Sequence, residues 1–303
     1  MSTLQCSLSI MVARTDIPFM MHTIPHLVRM CRFNFLERVL FIDTAPLSGK
    51  YKNCPGIGTM EQLRECCDRL LAAGIVDRVA DIDYSKQYQK HCYQKYFGRV
   101  LRYTHNYRGY PIFGSIFSLE FLKGDYVVHF DSDMLLYQHP DSNWIQSGID
   151  LIGSAPDVMF VSPLSGPPSQ DGSLKQRGVP YTHDQRGFYR FKEFTSRKYL
   201  VNRKRLEQLA PVQPRWLSDK RRIASLFTGK SALQNWEIMI SHRLHETNYI
   251  RADLSAPDAW TLHTPDHSSD FVQALPQVIE KVETGNYPTE QAGDFDLKLE
   301  VWT

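Results

Sequence analysis

The stretch "YVVHFDSDMLLY", residues 126–137, ends an apolar run with two aspartates that are one residue apart. Charged side chains are rarely buried without a partner, so Asp131 and Asp133 need an explanation. Asp and Ser are good turn formers, and a simple turn is one interpretation. A divalent cation is the other, because two carboxylates aimed at one point repel each other unless a positive charge lies between them.

The composition is typical of a soluble globular protein. Of 303 residues, 42% are hydrophobic and 22% charged, and the net charge of +2 gives no global field that would favour nucleic acid. No apolar run approaches the roughly 18 residues of a membrane span. The N-terminus has no early basic cluster and no small-residue cleavage site, so we expect no signal peptide. The six cysteines lack C-x-x-C spacing, which favours free thiols and a cytoplasmic location.

Strand and helix patterns alternate along the first half of the chain. Short apolar runs predict strands at 6–13, 38–43, 76–82, 125–131 and 149–155. Helical spacing predicts helices from Pro18 through Met30, after a capping box of Thr59 and Gln62 with a stop at Gly74, and over 111–124. This alternation is typical of an α/β domain with a mostly parallel sheet flanked by helices.

Ligands of such sheets bind beyond the carboxyl ends of the strands. Asp131 and Asp133 fall at that edge, as do Arg14, Asp16 and Asp43. Their common location favours a ligand site over a simple turn.

The pattern changes after Pro163. A Gly-, Pro- and Ser-rich stretch with no apolar period predicts a long loop. Beyond it we expect a strand running into a helix over 193–209, a helix over 230–246 with Ser231 and Gln234 as its capping box, and a partly helical segment over 271–285. We divide the one continuous domain into halves, 1–160 and 161–303.

The order of these motifs resembles the metal-dependent glycosyltransferases of the GT-A fold, especially the large family 2 type. The best match is "NYRGYPIFGSIFSLEFLKGDYVVHFDSD", residues 106–133, and the resemblance covers about residues 6 to 160. It implies a Rossmann-like GT-A fold with a C-terminal extension on the acceptor side. The first half would then bind the nucleotide sugar and the second half the acceptor.

The resemblance also implies roles for individual residues. Asp43 would contact the base or ribose, Arg14 and Asp16 would line the same pocket, and Arg108 could reach the diphosphate. Asp133 would bind the metal directly, and Asp131 would bind it or hold the ribose. Oxygen ligands suit Mg²⁺ or Mn²⁺, and an added imidazole favours Mn²⁺.

Two residues of the second half complete the predicted site. Glu237 falls among apolar residues of a predicted helix, where it is either a surface glutamate paired with His242 or Arg243, or a general base for an acceptor hydroxyl. We favour the base, with Asp219 and Glu246 as weaker alternatives. By resemblance, His263 would be the third metal ligand, in preference to His267.

The sequence therefore predicts a metal-dependent glycosyltransferase that takes a UDP- or GDP-sugar and inverts configuration. The acceptor stays open among saccharide, lipid-linked sugar, peptide, small molecule and nucleobase. One alternative is a nucleotidyltransferase, although "MVARTDIP" is not the Gly-rich loop expected there. Another is a non-catalytic nucleotide- or sugar-binding protein. The D-x-D of haloacid-dehalogenase-like phosphatases fits less well, because that motif usually lies in the first strand.

Overall fold

The computed structural model describes residues 5–52, 57–176 and 178–303. Its strands are β1 Cys6–Val12, β2 Glu37–Ile42, β3 Arg78–Asp81, β4 Tyr126–Asp131, β5 Met134–Gln138, β6 Val158–Ser162, β7 Leu164–Ser165, β8 Thr182–Asp184, β9 Phe188–Phe191, β10 Lys198–Asn202, β11 Ile250–Leu254 and β12 Ala259–His263. Its α-helices are α1 Met20–Cys31, α2 Met60–Ala72, α3 Lys86–Phe97, α4 Phe113–Phe121, α5 Trp144–Ser154, α6 Arg203–Leu206, α7 Asp219–Thr228, α8 Trp236–His245, α9 Ser269–Glu283 and α10 Leu299–Trp302.

Within the described ranges, nine strands form one large sheet in the order β3-β2-β1-β4-β10-β6-β11-β9-β8. Strands β3, β2, β1 and β4 run parallel, as the alternating pattern predicts. The second half of the chain continues the same sheet through β10, which pairs antiparallel with β4 and β6. A smaller sheet, β5-β12-β7, starts immediately after the aspartate pair. The two halves therefore share one sheet.

Both faces of the large sheet are covered. In β2, Leu40 and Ile42 pack into one apolar cluster with α1, α2 and α5, while Val39 and Phe41 pack into another with α3, α4 and α8. Because side chains alternate across a strand, this double burial explains why β2 is a nearly continuous apolar run. Each such large side chain contributes roughly 1.5–3 kcal/mol on burial. A third cluster joins α9 to the small sheet.

One local prediction, the capping box of α2, is confirmed. Thr59 Oγ1 accepts a hydrogen bond from the backbone N–H of Gln62, and the backbone N–H of Thr59 donates to Gln62 Oε1. This reciprocal pair is the predicted capping box of α2. The five described cysteines are free, and Cys54 lies outside the described residues. No helix among the described residues combines the length and apolar character that crossing a membrane requires.

The strand predicted at 149–155 is wrong. Those residues belong to α5, because Trp144, Ile145, Ile149 and Ile152 recur at helical spacing and Asn143 caps the helix with its side chain. The strand at this place in the sheet is β6, which lies just beyond.

The predicted start of the helix at 230–246 is also wrong. Helix α8 begins at Trp236, where Asn235 accepts a hydrogen bond from the backbone of Ile238. The preceding residues are extended, and Leu233 bridges to Trp216 instead of lying on the helix. The predicted loop after Pro163 also contains β8, which pairs with β9 as an antiparallel hairpin.

Candidate active site

The two aspartates flank a sharp turn between the large and small sheets. Asp131 is the last residue of β4, and its backbone N–H donates to the carbonyl of Arg197, 2.7 Å away. Its carboxylate Oδ1 lies 3.3 Å from Nε2 of His129, a buried residue whose Nδ1 contacts Ser9 Oγ. Asp133 follows the turn and leads into β5. The two side chains therefore have different neighbours.

Two histidines approach Asp133 from the second half of the chain. The Nε2 atoms of His263 and His267 lie 3.6 Å and 3.5 Å from Asp133 Oδ2. The other oxygen, Oδ1, is buried and has no hydrogen-bond partner among the described residues. Burial alone would raise the pKa of the Asp133 carboxyl, but the two imidazoles beside it hold that pKa well below its ordinary value. Asp133 is therefore a partly buried carboxylate that two imidazoles face.

Strand pairing positions His263. It ends β12, which pairs antiparallel with β5 so that His263 lies opposite Met134, the residue after Asp133. Its Nδ1 is 2.8 Å from Oδ1 of Asp296, which leaves Nε2 directed at Asp133. Burial lowers the pKa of His263, but the neighbouring carboxylates of Asp133 and Asp296 outweigh burial and raise it. His267 packs against the ring of Phe19 at 4.4 Å.

No group of three or more His, Cys, Asp or Glu side chains among the described residues is arranged so that it could hold a metal ion. The side-chain types around Asp133 are nevertheless those found at metal centres. Two imidazoles converge on Oδ2 of Asp133, and its buried Oδ1 lacks a partner among the described residues. A carboxylate that orients an imidazole through its second nitrogen is typical of metal-bound histidine, and Asp296 stands in that position. Two imidazoles and a carboxylate are ligand types that Mn²⁺ accepts.

A small cavity of about 170 Å³ opens next to Asp133. Arg14, Asp16, Asp43 and Asp131 all line it, together with Tyr51 and Tyr110, so the structure brings four of the predicted donor-site residues to one place. Loops after β1, β2 and β4 supply them, as expected for the carboxyl edge of a parallel sheet.

Internal hydrogen bonds hold the carboxylates of this cavity. Asp16 accepts from the backbone of Ala13 and from Ser132 Oγ, and burial raises the pKa of its carboxyl to about 6. Asp43 accepts from Tyr84 and lies 2.9 Å from His105 Nε2. Burial would raise the pKa of Asp43, but these contacts lower it. Both groups are fixed in advance of any ligand.

Arg108 lies apart from these residues. Its guanidinium is placed over the ring of Tyr107, 5.4 Å from the centroid, and it does not line the small cavity. Its backbone carbonyl accepts from Lys50. The neighbouring Gly109 does line the cavity, so the segment reaches the site through its backbone.

A second cavity of about 840 Å³ lies on the other side of the cluster, and Glu237 and His263 both line it. Glu237 lies in the first turn of α8, and its Oε2 accepts from the backbone and hydroxyl of Ser196 at 3.0 and 3.3 Å. Oε1 makes no hydrogen bond within the described ranges. Glu237 pairs with neither His242 nor Arg243, which were the partners of the surface interpretation.

The two alternative acids have other surroundings. Glu246 pairs with Arg215 and Arg243, and Asp219 is exposed at the start of α7. Neither lines the large cavity.

Sequence reasoning ranked His267 second, singled out neither His129 nor Asp296, and left the role of the basic segment 197–205, which begins at Arg197, open between diphosphate binding and other anionic partners. His129 was visible in the quoted motif, but nothing local indicates that it touches Asp131. Asp296 lies 33 positions beyond His263 and is brought to it only by tertiary structure. Arg197 lines the large cavity and its guanidinium forms no ion pair among the described residues. It was visible only as one of several basic residues in its segment.

Comparison with known proteins places the fold. No protein-family model and no curated protein matches the chain. Among solved structures it is similar to GalNAc-T7 with UDP, GalNAc and Mn²⁺, with a TM-score of 0.50 and 13% identity over 86% of this chain and 44% of that one. It is also similar to the mannosyltransferase PcManGT from Pyrobaculum calidifontis in complex with GDP-Man and Mn²⁺, with a TM-score of 0.43 and 11% identity over 92% of this chain and 62% of that one.

The similarity to GalNAc-T7 defines the class of fold. The chain has the GT-A fold of nucleotide-sugar glycosyltransferases, which confirms the fold predicted from the sequence. It spans less than two thirds of the length of either of these structures.

Proposed function

We propose that this protein is a metal-dependent glycosyltransferase that moves a sugar from a nucleotide-sugar donor to an acceptor hydroxyl. One observation carries the proposal: Asp133, His263 and His267 meet at the junction of the two cavities. Asp133 and His267 line the small one, and His263 lines the large one. A cation-binding group between two ligand cavities is what transfer between two substrates requires.

The small cavity is the donor side. Its volume of about 170 Å³ is below the roughly 300 Å³ at which ligand pockets begin, so it suits a base and ribose and not a whole nucleotide sugar. The diphosphate and sugar would extend past Asp133 toward the large cavity. Tyr51 and Tyr110 offer aromatic surface to a base, and Arg14 and Asp131 offer polar contacts at the rim.

Asp133, His263 and His267 would hold the cation, Mn²⁺ or Mg²⁺, and Asp131 would contact the donor beside it. When bound, the cation neutralises charge that builds on the departing nucleoside diphosphate. Asp296 keeps the His263 imidazole oriented for that role.

The large cavity is the acceptor side, and Glu237 acts there as general base. Ser196 fixes its Oε2, so Oε1 is available to take the proton of an acceptor hydroxyl. The hydroxyl oxygen attacks the anomeric carbon of the sugar, the bond to the diphosphate breaks, and configuration inverts. Apart from His267, the small cavity is lined by residues of the half 1–160, and the large one only by residues of the half 161–303, which supports the division into donor and acceptor halves.

Calorimetric titration with UDP and GDP, with and without Mn²⁺, tests the metal role. We expect wild-type protein to bind one nucleotide in a Mn²⁺-dependent way, and Asp133→Asn to lose that dependence while remaining folded. Asp131→Asn should lower Mn²⁺ affinity less, because its carboxylate lies beside His129 and not beside the two metal-facing histidines. Asp141→Asn, which changes an exposed loop acid, serves as the control. Equal binding with and without Mn²⁺ would contradict the proposal.

A further inference from the structure

Helix α7 is almost entirely solvent-exposed. Of its ten residues, Asp219–Thr228, Ser225 alone is buried. Three large apolar side chains stand in water: Ile223 is 59% exposed, Leu226 61% and Phe227 85%. The helix is attached mainly through its backbone, since Tyr103 Oη donates to the Ser225 carbonyl and Arg102 to that of Leu226. Burial against this protein does not explain its apolar residues.

The three apolar residues form one stripe that points away from the protein. Ile223, Leu226 and Phe227 stand at positions i, i+3 and i+4, which share a face of an α-helix. At about 100° per residue, buried Ser225 lies roughly 160° around the helix from Ile223. The side that touches the protein and the apolar side are therefore nearly opposite.

Positive charge flanks the stripe, and one acidic residue, Asp219 at the start of the helix, lies on the same face. On the helix, Lys220 and Arg222 lie on either edge of it, by the same angular spacing. The full set of exposed basic residues on α7 and the adjoining segments is Arg99, Arg102, Lys220, Arg221, Arg222 and Lys230. None of them forms an ion pair within the described part of the chain, and Asp219 is the one acidic residue of α7. We call the stripe and these six residues the α7 surface.

We propose that the α7 surface docks this protein on an anionic lipid bilayer. A short amphipathic helix with large apolar side chains on one face and Lys and Arg beside them lies in the bilayer interface, with the apolar face among the acyl chains and the cations at the headgroups. Nucleic acid would engage the cations but leave the stripe in water. The stripe is also convex and not a groove, so it suits a deformable surface better than a folded partner.

Cosedimentation with vesicles tests this docking. The protein is mixed with vesicles of phosphatidylcholine alone or with added phosphatidylserine, at roughly physiological ionic strength. We expect binding only to the anionic vesicles. The double variant Ile223→Ser, Phe227→Ser should bind at least about tenfold more weakly, because it removes the apolar contacts. The double variant Lys220→Glu, Lys230→Glu should lose at least about as much, because it reverses the charge at the surface.

Matched controls separate docking through the α7 surface from a general effect of surface charge or of exposed apolar side chains. Leu36→Ser with Leu71→Ser removes other exposed apolar side chains, and Lys86→Glu with Lys90→Glu reverses exposed charges on α3. Both controls should bind vesicles like wild type. Thermal unfolding should be unchanged in the two charge variants, whose residues are exposed, and checks that the two apolar variants are folded at the temperature of the assay.

Three outcomes would overturn the proposal. The first is absence of binding to anionic vesicles, and the second is equal loss in the controls. The third is concentration-dependent dimerisation in sedimentation velocity that Phe227→Ser abolishes without vesicles, which would make α7 a contact between copies of the chain. Docking does not depend on nucleotide or metal, so its failure is separate from a failure of the glycosyltransferase proposal.

Discussion

The two cavities beside Asp133 are built differently. The small one is formed by loops at the carboxyl ends of parallel strands, and its carboxylates, Asp16 and Asp43, are already held by hydrogen bonds. The large one is about five times as big and is lined by strands, helices and loops of the second half. One of its acids, Glu237, is hydrogen-bonded through a single oxygen. A prearranged pocket suits one constant ligand, whereas a roomy one allows a larger or more varied partner.

Glu237→Gln gives the sharpest test of this division and the largest expected effect. The substitution keeps shape and the contact with Ser196 but removes the proton acceptor. Transfer should fall roughly 10²–10⁴-fold, the usual range for general base catalysis, while nucleotide affinity stays nearly unchanged. Single-turnover transfer at saturating donor, with an acceptor found by screening, measures the first quantity, and calorimetry measures the second.

Glu193→Gln is the matched control, because Glu193 lines the same cavity. It should transfer at nearly the wild-type rate. Wild-type transfer by Glu237→Gln would remove the base from this position, and a loss confined to donor affinity would move Glu237 to the donor side.

Asp296→Asn probes the junction from the large-cavity side. Asp296 holds the His263 imidazole through Nδ1, and loss of such an outer carboxylate typically costs 10–100-fold in metal affinity. We expect a fall of about that size in Mn²⁺ affinity measured by titration. Asp294→Asn, which removes a carboxylate paired with Lys298 in the same cavity, should leave the affinity unchanged. Equal losses of Mn²⁺ affinity in the two variants would mean that the total negative charge of the cavity sets the affinity, and not the contact between Asp296 and His263.

Lys198→Met examines a buried lysine behind Phe295, a residue that lines the large cavity, and has the smallest expected effect. The ammonium is fully buried, donates to the Pro163 carbonyl and lies 5.0 Å from the ring of Phe295. Burial lowers the pKa of Lys198 to about 7, below that of an unfolded lysine. Above that pH the unfolded chain binds a proton that the folded chain lacks, so this group makes stability rise with pH.

Between about pH 7 and about pH 9 the folded chain has lost this proton and the unfolded chain keeps it. Over that range the group should add about 2 kcal/mol to the free energy of unfolding. Urea unfolding across that range should show a flatter dependence for Lys198→Met than for wild type. Exposed Lys90→Met should leave the dependence as it is. An unaltered slope in Lys198→Met would mean that the ammonium is charged in the folded protein.

The first half of the fold was predictable because its signals are local. Continuous apolar runs gave β1, β2 and β4, and the Thr59–Gln62 pair gave the start of α2. The same reasoning failed at 149–155, where an apolar run of strand length is one face of α5. Periodicity alone cannot separate the two for so short a run, and the Asn143 cap was the signal that decides it.

The candidate site also contains residues that local sequence signals predict and residues that only long-range contacts bring in. Asp131, Asp133, Asp43 and Asp16 could be grouped from the sequence because strand ends meet at one edge of a sheet. His267 and Asp296 could not be assigned with the same certainty, since long-range strand pairing and the packing of the C-terminal segment bring them to Asp133. Helical spacing was also misleading around Leu233, whose extended backbone pairs with Trp216. Local chemistry is readable, whereas distant partners follow from topology.

The pairing of His263 with Met134 restricts where this chain can gain or lose residues. Side chains alternate across a strand, so one residue inserted within β12 would exchange the faces and turn the imidazole away from Asp133. In the connection between β11 and β12, residues 255–258, the two end residues still pair with other segments, but the middle positions 256–257 could change length while the register persists. Insertions and deletions during divergence should therefore be tolerated in that connection and excluded from the strand, even though the two segments are neighbours in the sequence.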